Sequence, residues 1–83
     1  MDNQIGQVIH YFNNIQVAVI ELSDELSVGD TVTFVNPNGE KLFEQQIDSM
    51  EIDEEPVETA SSGDEVAVKV EKKAKAGASV HTE

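Results

Sequence analysis

Short turns containing Gly recur along this chain, and each leads into a segment rich in β-branched residues. The turns are centred on Gly29, Gly63 and Gly77, with Asp or Ser close by and Val at alternating positions afterwards. Gly adopts positive φ without steric strain, and Asp and Ser favour turns by hydrogen bonding to nearby backbone groups. Val is favoured in strands. This recurrence of Gly turns followed by Val-containing segments predicts a small β-barrel.

The length of the chain bounds the size of the fold. Its 83 residues correspond to a single domain, residues 1–83. A domain of this size buries roughly 60–65% of the surface that its unfolded chain exposes, so we expect modest stability. The sequence has no Cys, which excludes a disulfide or a thiolate metal site.

Alternation of apolar and polar residues predicts six strands. They are residues 4–12, 15–22, 31–35, 40–52, 65–71 and 79–82. A single turn near residues 57–60 is the one helical element that the pattern allows. Short strands separated by frequent turns predict an all-β fold, a small six-stranded antiparallel barrel that is closed or nearly closed. Closure removes the exposed sheet edges that a small β-protein must manage.

Breaks in the alternation predict local irregularities within these strands. The strand at 4–12 has apolar residues on both parities, which indicates burial on both faces or a bulge. In the next strand, Ile15, Val17 and Val19 share one face before the pattern switches, which predicts a bulge near Val19-Ile20. The same switch near Ser49 predicts a bulge or a barrel corner in the strand at 40–52.

Two connections carry specific turn signals. Asn38-Gly39 predicts a hairpin turn with two positive-φ positions. Residues 53–58 hold four acids interrupted by Pro56, which lacks a backbone donor and so indicates an edge strand or a loop.

The charge of the chain is strongly negative. Seventeen acids, five Lys and no Arg give a formal net charge of −12. Such a chain repels a phosphate backbone, which disfavours RNA as a partner. The charge either keeps the protein soluble or forms an acidic face for a basic partner. The same two alternatives apply to the acidic segment 48–58, which either keeps the protein in solution or has a function of its own. This segment lacks the Asp-x-Asp-x-Asp-Gly spacing of a calcium loop.

The basic residues predict one candidate binding region. Lys69, Lys72, Lys73 and Lys75 lie within seven residues. They either contact RNA phosphates or serve solubility and edge protection.

A second candidate region is aromatic. His10, Tyr11 and Phe12 end the first predicted strand and are the best candidates for an exposed edge that binds a partner, because amphipathic aromatic residues anchor interfaces.

Nothing in the sequence predicts an enzyme. His10 and His81, the latter expected to be exposed, are the two neutral-pH bases, and no catalytic motif accompanies them. No catalytic, cofactor or metal residues are predicted. The phosphate-loop motif is absent, which excludes GTP binding of the kind that motif provides. The N-terminus lacks a signal-peptide pattern and no apolar run is long enough for a membrane span, so we expect a cytoplasmic protein without a membrane partner.

Several motifs resemble the second domain of translational GTPases such as elongation factor Tu. They are Leu26-x-Val28-Gly29-Asp30-x-Val32, the stretch 49–70 and Ala76-Gly77-x-x-Val80. A narrower resemblance is to the C-terminal barrel module of collagenase-like peptidases and to small stand-alone elongation-factor-like proteins. It is carried by Gly6-x-Val8-Ile9-His10-Tyr11-Phe12 and Phe43-Glu44-Gln45-x-Ile47-x-Ser49-Met50. The resemblance implies a barrel of the translation-protein type.

Three functional hypotheses follow. The first is a non-enzymatic binding module, a stand-alone barrel that docks on a protein or ribonucleoprotein partner. The alternative is direct binding of RNA or of a tRNA end, which the net charge disfavours. The third is an accessory domain of a collagenase-like peptidase system.

Overall fold

The computed structural model describes residues 3–82, which form ten strands and no helix. The strands are β1 Asn3–Phe12, β2 Val17–Leu22, β3 Leu26–Ser27, β4 Thr31–Val35, β5 Lys41–Gln46, β6 Met50–Ile52, β7 Glu55–Val57, β8 Thr59–Ala60, β9 Glu65–Lys69 and β10 Ser79–Thr82. All pairings are antiparallel. The all-β prediction is confirmed.

Eight of the strands form one sheet in the order β5-β4-β10-β1-β2-β9-β6-β7, and β3 pairs with β8 separately. The predicted count of six strands is too low because β3, β7 and β8 are only two or three residues long. The predicted strand 40–52 divides into β5 and β6, with a corner at residues 47–49. The parity switch near Ser49 marks this corner, because Ile47 and Met50 are both buried across it.

The side chain of Gln45 joins two distant parts of the sheet. Its Nε2 donates to the backbone O of Lys69 at 3.0 Å, and its Oε1 accepts from the backbone N of Glu71 at 2.9 Å. Four strands separate β5 from β9 in the sheet order, so this contact requires the sheet to curl round its core. The strand ladder itself stays open, with β5 and β7 at its ends.

The concave face of this sheet encloses an apolar core. Strands β4 and β9 show the predicted alternation, with Val32 and Phe34 buried on the first and Val66 and Val68 on the second. Phe34 stacks on Phe43 with the ring centroids 4.7 Å apart. The remaining core residues are Ile5, Val8, Ala18, Ile20, Leu22, Leu26, Ile47, Met50, Ala60, Val70, Ala74, Ala78 and Val80.

Strand β2 does not change face near Val19-Ile20 as predicted. Ala18, Ile20 and Leu22 are buried, whereas Ile15 lies in the turn before the strand and is 60% exposed. The irregularity lies in β1 instead, because the register steps from Val8↔Ile20 to His10↔Val19 and leaves one extra residue in β1. The bulge predicted for β1 is therefore confirmed, and the one predicted within β2 is wrong because β2 alternates regularly.

The Gly turns are confirmed, with φ of +100° at Gly29, +93° at Gly63 and +99° at Gly77. Two of these turns use the same closing bond. Asp30 Oδ2 accepts from the backbone N of Ser27 and Asp64 Oδ2 from that of Ser61, each at 2.9 Å. The two Ser-x-Gly-Asp turns therefore share one backbone geometry.

The hairpin predicted at Asn38-Gly39 is present, since β4 and β5 pair across residues 36–40, but it has one positive-φ position instead of two. In the β4–β5 connection Gly39 has a φ of +92°, whereas Asn38 does not have a positive φ. Asp53 and Glu54 have φ of +52° and +66° and link Ile52 to its partner Glu55, which is the geometry of a type I′ turn. Pro56 lies on β7, a terminal strand, as its missing donor indicates. The predicted helical turn at 57–60 is wrong, because Ala60 pairs with Leu26 in β8–β3.

Glycine at the second position of this turn is expected to stabilise the domain. Glu54→Gly removes the steric strain of positive φ, and we expect the free energy of unfolding to rise by about 0.5–1 kcal/mol. Urea denaturation measures the change. Glu54→Gln is the matched control, since it removes the charge and keeps the backbone preference; a gain of the same size in that variant would assign the effect to charge alone.

Candidate functional site

Three connections between strands meet at one end of the domain, and we call this the lysine end. They are residues 13–16, 36–40 and 70–78. The backbone N of Val70 donates to the O of Gln16 at 2.9 Å, which joins the first and third connections. Pro37 and Lys73 line the same groove, so the second and third connections lie side by side.

All five Lys of the chain lie on or directly beside these connections. Lys72, Lys73 and Lys75 are within residues 70–78, and Lys41 and Lys69 are the adjoining strand residues. Glu40 and Glu71 are the acids there, which gives this region a formal charge of +3, and the other 15 acids belong to the rest of the sequence. The lysines are therefore clustered around these connections, a feature that the summed net charge of −12 hides.

The predicted aromatic edge divides between the surface and the core. His10 and Phe12 lie on the outer face with their ring centroids 4.8 Å apart and the rings at 68° to one another. Phe12 is 42% exposed. Tyr11 is half-buried and packs against the core, because neighbouring residues of a strand point to opposite faces.

The outer face beside these two side chains is apolar. Across the sheet, Phe12 is paired with Val17 and His10 with Val19, and both valines are half-buried. Together with the exposed Ile15 these four residues form what we call the aromatic strip. Lys69 borders the strip, because it is paired with Val17 on the neighbouring strand β9.

A groove of about 380 Å³ separates the β4–β5 hairpin from residues 73–78. We call it the lysine groove; its lining residues are Asn36, Pro37, Leu42, Lys73, Lys75, Ala76 and Ala78. Leu42 is 37% exposed. The groove thus combines an apolar surface with two ammonium groups, and none of its lining residues is acidic.

The structure distributes the four predicted lysines unequally. Lys73 and Lys75 line the lysine groove, Lys69 borders the aromatic strip, and Lys72 lines neither. Binding by any of them stays a prediction. The sequence reasoning missed Lys41, although its position directly after the Asn36–Gly39 turn places it at the same end of the sheet as the turn at 13–16.

A wider, shallower cavity of about 710 Å³ lies on the outer face of β1, β4 and β10. His81 lines it and is half-buried rather than exposed as expected. Its Nε2 lies 2.8 Å from Ser79 Oγ in a hydrogen bond, since the two residues are on the same face of β10. The other lining residues include side-chain amides, hydroxyls, Lys41, Val35 and Pro37, and none of the lining residues is acidic.

Residues 3–82 contain neither a cluster of metal-ligating side chains nor a membrane-spanning helix. No group of three or more His, Cys, Asp or Glu side chains in this range is placed to hold a metal ion. The described part of the chain also has no helix that is long and apolar enough to cross a membrane.

Comparisons with known proteins favour the narrower of the two resemblances. The model of the peptidase family U32 C-terminal domain matches residues 3–78. A protein of Methanocaldococcus jannaschii described as an uncharacterized protease is 34% identical over 67 residues, which is 81% of this chain and 16% of that protein. The chain therefore spans about one sixth of that relative. The family match does not support the resemblance to the second domain of elongation factor Tu.

Two crystal structures of the C-terminal domain of a Geobacillus thermoleovorans protein assigned to the U32 peptidases share the fold. Both have a TM-score of 0.87 and align with 96% of this chain, at 21% and 22% identity. The alignments cover 99% and 91% of those two chains, so that domain was crystallised on its own. From the family match, this chain belongs to the peptidase family U32 C-terminal domain family.

Proposed function

We propose that this domain is a non-enzymatic accessory module that docks on the remainder of a U32-type peptidase, in the same chain or in a separate one. The observation that carries the proposal is the aromatic strip, in which Phe12 and Ile15 are exposed beside two half-buried valines. The family supports it, because its members are described as the C-terminal domain of a larger peptidase. We place the module in the cytoplasm, without a nucleotide cofactor or a membrane partner.

Burial of the strip accounts for useful docking energy. At roughly 25 cal/mol per Å² of apolar surface, covering Phe12 and Ile15 contributes about 1 kcal/mol for each partly exposed side chain. Clusters of exposed apolar side chains on small domains commonly mark interaction sites. The bordering Lys69 gives the strip a polar rim, which is the usual arrangement at protein interfaces.

The test uses this domain and a purified U32 peptidase from the same organism whose own chain lacks such a domain. Calorimetric titration should show binding, and Phe12→Ser/Ile15→Ser should weaken it about 30-fold, the equivalent of the apolar area lost. Val28→Ser is the matched control, because Val28 is 38% exposed but precedes β4 at the other end of the sheet. Undiminished binding by the double variant, or an equal loss in the control, would contradict the proposal.

Direct RNA binding is the second candidate, and the gathering of all five Lys at one end favours it. Such binding should depend steeply on salt, because lysines displace counterions from phosphates. An absence of tRNA binding at low ionic strength would end this alternative.

A further inference from the structure

We propose that the lysine groove binds a short acidic peptide segment of the peptidase, with an apolar side chain of that segment seated on Leu42 and its carboxylates beside Lys73 and Lys75. The inference rests on the proposed function and adds the chemistry of the contacted segment. It concerns a surface distinct from the aromatic strip, because the two have no lining residue in common.

The groove has the two properties that an acidic segment with an apolar residue needs. Leu42, Pro37 and Ala76 supply an apolar floor, and Leu42 is among the exposed large hydrophobic side chains of the described residues. Lys73 and Lys75 supply ammonium groups on one wall. Seventeen of the 83 residues are acidic, so a groove that has two lysines and no acid in its lining is selective for negative charge.

The charge distribution favours a short peptide over a nucleic acid. The domain measures 32 × 30 × 20 Å, and the lysine end is one part of it. A polynucleotide long enough to use all five Lys carries regularly spaced phosphates beyond the groove, over a domain whose formal net charge is −12. A segment with two or three carboxylates fits within the basic region, and charges more than about 8 Å away are largely screened at physiological salt.

Single charge reversals within one connection test the groove. In titrations against the same U32 peptidase, Lys73→Glu and Lys75→Glu should each weaken binding about fivefold, and Leu42→Ser should weaken it by a similar factor. Lys72→Glu is the matched control, with the same charge change in the same connection but outside the groove lining; we expect less than a twofold effect. Wild-type affinity should rise as salt is lowered, and this dependence should diminish in the groove variants.

The outcomes separate this inference from the proposed function. If the wild-type domain does not bind the peptidase, the proposed function fails and the inference fails with it. If the aromatic-strip variant loses binding while the groove variants bind like Lys72→Glu, docking stands and the acidic segment is wrong. If sedimentation shows that the domain self-associates and that Lys73→Glu abolishes this association, the occupant of the groove is a second copy of the domain. If the wild-type domain binds tRNA saturably and Lys73→Glu does not, the occupant is RNA. Either result overturns the inference.

Discussion

Replacing Gly6 with Ala should lower the free energy of unfolding by about 3 kcal/mol, at the upper end of the range for overpacked cores. An ideal Cβ at this position lies 2.8 Å from the backbone O of Glu21 and 2.8 Å from Ile20 Cγ2. Real Cβ atoms do not approach so closely, so something must move. The Glu21 carbonyl is part of the β1–β2 ladder, where Gly6 is paired with Leu22, and it cannot yield without disturbing that pairing.

Thermal unfolding monitored by circular dichroism measures this effect. For a domain of this size, a loss of about 3 kcal/mol lowers Tm by roughly 12–24 °C. Gly63→Ala is the control, because Gly63 has a φ of +93° but no atom lies within 4 Å of the added Cβ. Backbone strain alone should cost about 1 kcal/mol there. If Gly6→Ala is as stable as Gly63→Ala, β1 and β2 can move apart at Gly6 with little loss of free energy, and the prediction is wrong.

Gln45→Leu should lower the free energy of unfolding by about 2–3 kcal/mol, although the substitution preserves most of the side-chain volume. Gln45 is 6% exposed, and its amide makes hydrogen bonds to Lys69 O and from Glu71 N. Leucine leaves both backbone groups without this partner, and an unsatisfied buried group costs about 1–3 kcal/mol. Because this amide joins β5 to the end of β9 and the residues after it, the loss weakens the contact that holds the curled sheet in shape.

Amide hydrogen exchange provides the specific measurement for Gln45. The Glu71 amide should exchange faster in Gln45→Leu by a larger factor than amides of β1 or β2, because it loses its acceptor directly. Gln46→Leu is the control; Gln46 is exposed and donates to Gly29 O at 3.2 Å. Its stability loss should stay below about 1 kcal/mol. Equal losses of stability in the two variants would show that the effect comes from replacing any polar side chain with Leu, and not from the two hydrogen bonds of Gln45.

Gln45→Glu adds a pH dependence with a defined sign. The introduced carboxyl is buried and faces the Lys69 carbonyl O, so we expect its pKa to lie above the unfolded value of about 4.3. The stabilising hydrogen bond to that carbonyl exists only when the carboxyl is protonated. Relative to wild type, the variant should therefore be least destabilised below about pH 4 and lose stability as the pH rises through its folded pKa. A stability difference that is constant with pH would contradict the donor role of Nε2.

The clustering of the lysines gives the lysine end its functional interest. The net charge of −12 argues against anionic partners for the molecule as a whole. The tertiary structure gathers the five Lys around three connections and leaves one groove without acids, so a local anionic partner remains compatible with a strongly acidic chain.

Strands with regular alternation were predictable because local sequence decides which side chains face the core. β4 and β9 are examples: Val32 and Phe34 are buried between more exposed neighbours on the first, and Val66 and Val68 are buried between more exposed neighbours on the second. β2 was not, because its sequence is apolar on both parities and either face can be buried on local grounds. β2 buries a single parity, Ala18, Ile20 and Leu22, and the extra residue in β1 across the ladder shifts the inward side of β1 from Val8 to Tyr11.

Candidate binding residues were predictable to a similar extent. The sequence identified His10, Phe12, Lys73 and Lys75 as candidates, and the structure places all four at the surface. It did not identify Ile15, Leu42 or Pro37, because an apolar side chain in or beside a turn looks like a core residue until the core is known.

By itself, the sequence determined the all-β class, the Gly turns and the alternation of the most regular strands, because φ preferences and period-two patterns act over a few residues. Only the tertiary structure decided the contact that Gln45 makes with the end of β9 and the assembly of the lysine end. These depend on the number of strands, their register and the curl of the sheet, which bring residues 36–42 and 73–78 together across more than 30 positions of sequence. No local preference encodes such a contact; it follows from enclosing one core with one sheet.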